Sequence, residues 1–302
     1  MAYVPAEPFV DGSPLTSYPR FVARKQLSRL AELGFSLKSS FHLEFFLKSK
    51  KAGTEYIKRE TLIGHFFDVL ERTGKDFEVE TFHVGTMANR MDGTFKEVLG
   101  IKSADYAQHF KTFMREAADS FLHEASVLEK ANLSLYFRHS LWDIKGKKCL
   151  MGDPDSPLGL SVAAQHWMAG ILEHMPAIVR FTHPTQSSWD QVEHEQLNCR
   201  WGTDSAGSSV RLHRGEEGKT FVETRQGTGR CNPYLLMAAV VAAGIDGMEK
   251  KLPLSEAGTE NKKRPTTIAE ATEAFEADEV LLAAFDGGKE FLPLLKTSLT
   301  FL

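Results

Sequence analysis

The sequence predicts an α+β protein in which helices flank one sizeable β-sheet. Short segments that alternate apolar and polar residues are interleaved with longer segments whose apolar residues recur at helical spacing. The helix expected after Asn232 is apolar on every side and therefore belongs in the core. Asn232 is a good N-cap for this helix, Pro233 fits its first position, and Lys250 suits its C-terminal end.

The composition is that of a soluble globular protein. The chain has 302 residues, 42% hydrophobic and 25% charged, with a formal net charge of -4. This charge argues against a nucleic-acid surface, and the longest apolar run, Tyr234 to Ile245, is too short to cross a membrane. The first residues lack a secretory signal, and the three widely spaced cysteines fit no disulfide framework or zinc site. We therefore expect a cytoplasmic protein.

Helical spacing assigns most of the remaining helices. Helices are predicted over 20–33, 55–73, 104–130 and 161–175, the last of them stopped by Pro176. Two short helices are expected within 268–295. Residues 1–18 are rich in proline, serine and glycine and are predicted to be irregular. The basic run Lys262 to Arg264 lies in a polar stretch, 255–267, that is expected to be a solvated loop.

Strands are predicted where the period changes to two. They cover 41–49, 77–84, 133–143, 208–214 and 219–226. In the first of them, Phe41, Leu43 and Phe45 share one face, whereas His42 and Glu44 share the other. Isolated charges on one face are compatible with an antiparallel sheet that has a wet side. The alternative is a polar cavity in which acids bind cations and arginines bind anions.

Several short motifs occur in a fixed order along the chain. They are LEFFL at 43–47, SLWD at 140–143, WGTD at 201–204, Glu223 with Arg225, and NPY at 232–234. In this order they resemble the catalytic domain of the class I glutamine synthetases. The resemblance implies a curved antiparallel sheet flanked by helices over residues 19–302, without the family's small N-terminal domain and with a shortened C-terminus. It also implies ring-shaped homo-oligomers whose active sites lie between neighbouring subunits.

The resemblance further implies ATP-dependent ligation of glutamate and ammonia, which requires two divalent cations. The first metal position is matched by Glu44 and Asp92, but its third carboxylate falls at Gly85. A glycine has no side chain with which to bind magnesium.

The second metal position is more strongly altered. It retains Glu223, but its other carboxylate becomes His42 and its histidine becomes Tyr136. A neutral phenol is a poor substitute for imidazole, although His42 is a ligand type suited to a softer metal. Arg138 places a cation at a position where the family contacts nucleotide.

The anion-binding arginines are only partly retained. Arg211 and Arg225 match the family, whereas the other two arginines fall at Gln191 and near Ala206. Loss of a charge partner at a buried site costs about 2–5 kcal/mol. The acidic residue of the active-site flap is matched by Glu193, by Glu195 or by neither, because this segment is shortened.

Three functions follow from this pattern. The first is a non-catalytic family member with a structural or interaction role, which needs no cofactor and binds cytoskeletal or other protein partners. The second is a working ligase for glutamate and ammonia or another amine, which requires ATP and Mg²⁺ or Mn²⁺. The third is a binding module that keeps a nucleotide or amino-acid pocket without turnover.

Overall fold

The computed structural model describes residues 5–49, 64, 78–84, 90–120, 123–126, 134–190, 198–203, 207–215, 219–260 and 262–286. The strands are β1 (Phe9–Val10), β2 (Ser13–Pro14), β3 (Phe35–Ser49), β4 (Val79–Val84), β5 (Arg90–Phe95), β6 (Val98–Leu99), β7 (His123–Ser126), β8 (Ser134–Asp143), β9 (Asn198–Thr203), β10 (Ser208–Arg214) and β11 (Thr220–Thr228). The helices are α1 (Pro19–Glu32), α2 (Lys102–Ser120), α3 (Val162–Glu173), α4 (Met175–Thr182), α5 (Gln186–Trp189), α6 (Pro233–Glu249), α7 (Ile268–Ala277) and α8 (Glu279–Ala284).

One large sheet organises the fold. Its strands follow the order β4-β5-β3-β8-β11-β10-β9, and β6 and β7 also pair with β3. Among the described strands of this sheet, β9 and β10 run parallel and the other pairs are antiparallel. The α+β class is confirmed, but the sheet is mixed rather than purely antiparallel.

Strand β3 is the centre of the sheet and is longer than predicted. It begins at Phe35, directly after Gly34, whose φ of +87° closes the preceding helical segment. Residues 35–43 of β3 pair with β8, and residues 38–39 also pair with β6 on the other side. Residues 42–46 pair with β5, and residues 46–49 pair with β7. Phe41, Leu43 and Phe45 are fully buried on the predicted apolar face.

Helix α6 forms the middle of the helical layer. The Asn232 side chain accepts hydrogen bonds from the backbone N–H groups of Tyr234 and Leu235, which confirms the predicted N-cap. The helix packs against both α1 and α3. Its Gly244 lies directly against the Trp167 ring of α3, and a side chain there would overlap that ring.

Two predicted helices are wrong at their C-terminal ends. Helix α2 ends at Ser120 rather than near residue 130, and it is followed by β7, which pairs with the end of β3. Pairing across the sheet therefore overrides helical periodicity in this segment. The helix predicted over 161–175 ends at Glu173, and Pro176 lies in the first turn of α4 instead of stopping a helix. Proline is tolerated there because first-turn N–H groups have no partner within the helix.

The remaining helix and segment predictions have mixed outcomes. The two short helices expected within 268–295 are observed as α7 and α8, with residues after 286 outside the described part. The helix predicted over 55–73 falls outside the described residues apart from position 64. Before Pro19, β1 and β2 form a short antiparallel hairpin.

The basic run is not uniformly solvated. Lys262 is exposed and pairs through Nζ with Glu173 Oε1 at 2.7 Å. Arg264 is buried, and its Nη2 lies 3.3 Å from His183 Nε2. The solvated-loop prediction is therefore wrong for Arg264, because tertiary packing places this side chain against α4 and its C-cap.

Cys149, Cys199 and Cys231 are all free thiols. Within the described ranges, none of the helices has both the length and the apolar character needed to span a membrane.

Candidate functional site

The face of the sheet opposite the core carries two groups of polar side chains. We call His42, Glu44 and Asp92 the acidic corner, and Arg138, Arg211, His213, Glu223 and Arg225 the basic corner. Alternation along β3, β5, β8, β10 and β11 puts these residues on one face while their neighbours point into the core. Tyr136 of β8 lies between the two corners, since it stacks on His42 and contacts Arg225.

Cross-strand pairing builds the acidic corner. Glu44 of β3 is directly opposite Asp92 of β5 in the register. His42 Nε2 lies 3.9 Å from Glu44 Oε1 and also 3.9 Å from Asp92 Oδ2. The other ring nitrogen, Nδ1, lies 2.9 Å from Thr94 Oγ1. The structure thus brings three of the predicted metal-site residues together, whereas the fourth, Glu223, lies in the basic corner. It also orients His42 with a hydroxyl that the sequence did not indicate.

The acidic corner does not form a complete metal site. Glu44 Oε2 accepts a hydrogen bond from the backbone N–H of Ser134 at 3.2 Å. Across the part of the chain that the structure describes, no three His, Cys, Asp or Glu side chains converge closely enough to hold a metal ion. The 3.9 Å separations place His42 within reach of charge interaction with both acids, but they do not create a ready cation cage.

The basic corner surrounds one carboxylate with cationic side chains. Arg138 donates through Nε to Glu223 Oε2 at 2.9 Å, and Arg225 Nε lies 3.3 Å from Glu223 Oε1. Arg211 Nη1 and His213 Nε2 are farther from Oε1, at 3.9 and 3.8 Å. The Arg138–Glu223 pair is fixed by the sheet, because these two residues are register partners on β8 and β11.

The surroundings of Glu223 keep it ionised. Its side chain is only 2% exposed, and burial by itself opposes ionisation. Interactions with His213 and Arg138 outweigh burial and lower the pKa of Glu223 to about 2. The charge of this carboxylate is therefore balanced by protein cations, and a divalent ion would have to compete with guanidinium groups for it. The residues present do not fit the second metal of the family.

Aromatic rings support the cations of the basic corner. The Phe221 ring stacks on His213 with centroids 4.5 Å apart, and Arg138 Cζ lies 5.9 Å from the same ring. Arg225 Cζ lies 5.2 Å from the Tyr136 ring. Such contacts add modest attraction and hold the guanidinium planes in place. The site roles of Phe221 and His213 were missed from the sequence, although their alternation with core residues was visible.

Several predicted site positions lie outside the described residues. These are Gly85, Gln191, Glu193, Glu195 and Ala206. The roles assigned to them, including that of the flap acid, stay predictions.

Comparison with known proteins assigns the class of this chain. A family model described as "Glutamine synthetase, catalytic domain" matches residues 56–292. The chain therefore belongs to the glutamine synthetase catalytic-domain family, as its motifs predict.

Particular relatives include both lengsins and glutamine synthetases. Lengsin of Canis lupus familiaris is 32% identical over 265 residues, covering 80% of this chain and 45% of lengsin. Lengsin of Homo sapiens is 29% identical over 94% of this chain and 60% of its own length. Glutamine synthetase of Thermotoga maritima is 25% identical over 91% of this chain and 70% of the enzyme. The chain thus spans about half the length of the lengsins it matches.

Solved structures agree on the fold. A glutamine synthase homologue superimposes with a TM-score of 0.84 at 24% identity, covering 96% of this chain and 72% of its own. The GmaS/ADP complex superimposes with a TM-score of 0.83 at 20% identity, covering 97% and 76%. At these identities the likeness establishes the fold alone.

Proposed function

We propose that this chain is a lengsin-like member of the glutamine synthetase family that does not synthesise glutamine and has a structural or partner-binding role. One observation carries the proposal: the Glu223 carboxylate is held by Arg138 at 2.9 Å, with Arg225, Arg211 and His213 around it. An acid engaged in this way is a poor ligand for the second divalent cation of the family's reaction.

The acidic corner supports the same proposal. Two cations normally neutralise the transferring phosphoryl group, and neither corner offers a preformed cage of oxygen ligands for one. His42 stands where a carboxylate is expected, with Nδ1 next to Thr94 and Nε2 between two acids. Several such changes together remove most of the electrostatic stabilisation of the transition state.

The direct test is formation of γ-glutamyl hydroxamate from glutamate, ATP and hydroxylamine with Mg²⁺ or Mn²⁺. We expect no product above the blank, with the Thermotoga maritima glutamine synthetase as the positive control. Product formation by the purified chain would refute the proposal. A triple variant tests whether the altered residues limit activity: His42→Glu and Tyr136→His restore the family residues of the second metal position, and Arg138→His restores that of the nucleotide-contact position.

An ATP-dependent glutamate–ammonia or glutamate–amine ligase is the alternative. It is favoured by Glu44 and Asp92, which are register partners and both approach His42. This function requires ATP and Mg²⁺ or Mn²⁺, with Arg211 and Arg225 binding substrate oxygens. Calorimetric titration with Mn²⁺ and ATP tests it, because a ligase must bind both, whereas absence of binding rules the ligase out.

Assembly and location are part of the proposal. The family resemblance favours a ring-shaped homo-oligomer in the cytoplasm, with cytoskeletal or other protein partners. Light scattering coupled to size-exclusion chromatography measures the molar mass, and a mass equal to that of one 33.7 kDa chain would exclude the ring for this protein.

A further inference from the structure

The end of the sheet where β3 begins and β8 ends presents apolar side chains to solvent. Among the described residues, six large hydrophobic side chains are exposed, and three of them lie at this end. They are Leu33, Leu99 and Ile144, which are 39%, 45% and 54% exposed. A single exposed apolar residue is ordinary on a protein surface. Three such residues at one end of one sheet indicate a contact surface.

Two segments that touch each other carry Leu99 and Ile144. Leu99 lies within residues 96–102, which contain β6, and Ile144 lies in the turn at 143–148 that follows β8. The Leu99 side chain packs directly on Gly146 of this turn, and a Cβ atom at Gly146 would overlap it. The contact therefore holds the two segments side by side.

Leu33 reaches the same end of the sheet from α1. It is the C-cap residue of this helix and lies two positions before β3 begins. Phe35, the first residue of β3, is the register partner of Asp143 at the end of β8. We call Leu33 together with residues 96–102 and 143–148 the sheet tip.

The sheet tip is basic, although the chain as a whole is acidic. Residues 96–102 contain two lysines and one glutamate, and residues 143–148 contain three lysines and one aspartate, whereas the net charge of the chain is -4. The five lysines are all exposed, namely Lys96, Lys102, Lys145, Lys147 and Lys148. Because Glu78 lies 3.8 Å from Lys102, the excess of positive charge comes mainly from the turn at 143–148.

The turn at 143–148 is held in one conformation by its own acid. Asp143 Oδ1 accepts hydrogen bonds from the backbone N–H groups of Lys147 and Lys148 at 2.6 and 2.9 Å. The backbone N–H of Gly146 donates to the Asp143 carbonyl at 2.7 Å. The carboxylate is thus engaged by the backbone, and a preformed turn loses little entropy when it binds a partner.

We infer that the sheet tip docks on an anionic phospholipid surface. Ile144 and Leu99 enter the interfacial region, and the lysines of the turn at 143–148 lie at the level of the lipid phosphates. A bilayer accepts apolar side chains that project from turns, whereas a protein partner would need a pocket shaped to receive them. Peripheral contact of this kind needs no membrane-spanning helix, and it does not depend on whether the chain synthesises glutamine.

Co-sedimentation of the full chain with vesicles tests the inference. We expect binding to vesicles of phosphatidylcholine and phosphatidylserine in equal parts, and little binding to phosphatidylcholine alone. Raising the salt concentration from about 0.1 M to about 1 M shortens the Debye length from about 10 Å to about 3 Å and should release the chain. Equal binding to both kinds of vesicle, or binding to neither, would overturn the lipid assignment.

Removal of the charge of the turn should have the largest effect on binding. The triple variant Lys145→Ala, Lys147→Ala and Lys148→Ala should weaken it about 100-fold, because each lysine near an anionic surface contributes roughly fivefold. A control variant removes the same charge from exposed lysines elsewhere, through Lys25→Ala, Lys262→Ala and Lys263→Ala. Equal losses in the two variants would show attraction by total charge and overturn the assigned surface.

Substitutions of Ile144 test the apolar contact separately. Ile144→Ser should weaken binding roughly tenfold, whereas Ile144→Trp should strengthen it, because tryptophan favours the membrane interface. Val162→Ser, at another exposed apolar position in the first turn of α3, is the control and should bind like the parent. Unchanged binding in both Ile144 variants would overturn the inference. Binding of soluble poly-glutamate without binding of vesicles would also overturn it and would assign the sheet tip to an acidic protein.

Discussion

The two faces of the central sheet differ in the side chains that they carry. On the apolar face, Phe41, Leu43 and Phe45 are fully buried, and the helical layer that contains α6 is closely packed. On the polar face, charged side chains form two separate groups around the carboxylates of Glu44 and Glu223. Substitutions on the first face are therefore expected to act on the stability of the fold, whereas substitutions on the second act on its charge interactions.

The acidic corner and the basic corner of the polar face differ in the groups that surround their carboxylates. Glu44 accepts a backbone N–H and lies near His42, whereas Glu223 lies among arginines. The same residue type therefore faces opposite electrostatic surroundings within one sheet. The charges around a carboxylate, and not its presence alone, decide how available it is to a metal ion.

The largest expected loss of stability comes from a substitution on the apolar side. Gly244→Ala would force a methyl group into the Trp167 ring, and both groups are fixed by the packing of α3 against α6. We expect a loss of about 3 kcal/mol or more in the free energy of unfolding, measured by urea denaturation. Gly152→Ala is the matched control, because its nearest contact would be Thr220 Oγ1 at an ordinary 3.6 Å. Equal losses in both variants would contradict the packing argument.

On the polar side, we expect a change of comparable size in the unfolding free energy, but this change appears only when the pH is varied. The folded-state pKa of Glu223, about 2, is below its ordinary value of 4.5. Its contribution to stability is therefore present above pH 4.5 and is lost as pH falls toward 2, which amounts to about 3 kcal/mol. Glu223→Gln should flatten the unfolding free energy over this range. A decline as steep as that of the parent would show that other acids dominate.

The helical layer contains the reverse arrangement, in which a histidine lies between two acids rather than a carboxylate among cations. His174 Nδ1 lies 2.6 Å from Asp278 Oδ2, and its Nε2 lies 3.0 Å from Asp246 Oδ2. Burial lowers the pKa of His174, but hydrogen bonds with Asp278 and Asp246 outweigh burial and raise it. This stability is complete below the unfolded-state pKa and is lost as pH rises through the folded-state value.

His174→Gln should therefore cost about 2 kcal/mol at pH 6 and progressively less at alkaline pH. Urea denaturation of parent and variant at several pH values measures this difference. A cost that stays constant with pH would mean that His174 acts only through packing.

The sequence predicted which side chains share a face, but not which strands become neighbours. A period of two places His42 and Glu44 opposite Phe41 and Leu43 without any tertiary information. The Arg138–Glu223 pair joins residues 85 positions apart, and its existence depends on the register of β8 against β11. One strand's sequence does not contain that register.

Two errors have the same physical origin. Residues 123–126 continue a helical pattern but pair with β3, because edge pairing of the long strand outweighs local periodicity. Arg264 lies in a polar run but is buried next to His183, 81 positions away. Local composition predicts solvent exposure well only where no distant partner is available.

The smallest expected loss of stability comes from the segment before Pro19, which the sequence predicts to be irregular and to lie outside the folded domain. Glu7 accepts hydrogen bonds from Arg20 and Arg24 at 2.7 Å each, and Arg20 also bonds Asp105 of α2 at 2.8 Å. Hydrogen bonding from Arg24 lowers the pKa of Glu7. Because Arg24 is half exposed, we expect Glu7→Gln to cost only about 0.5–1 kcal/mol by thermal unfolding. Glu32→Gln, at an exposed position, is the control. Equal unfolding temperatures for the two variants would mean that the ion pairs of Glu7 add nothing measurable to the stability of the fold.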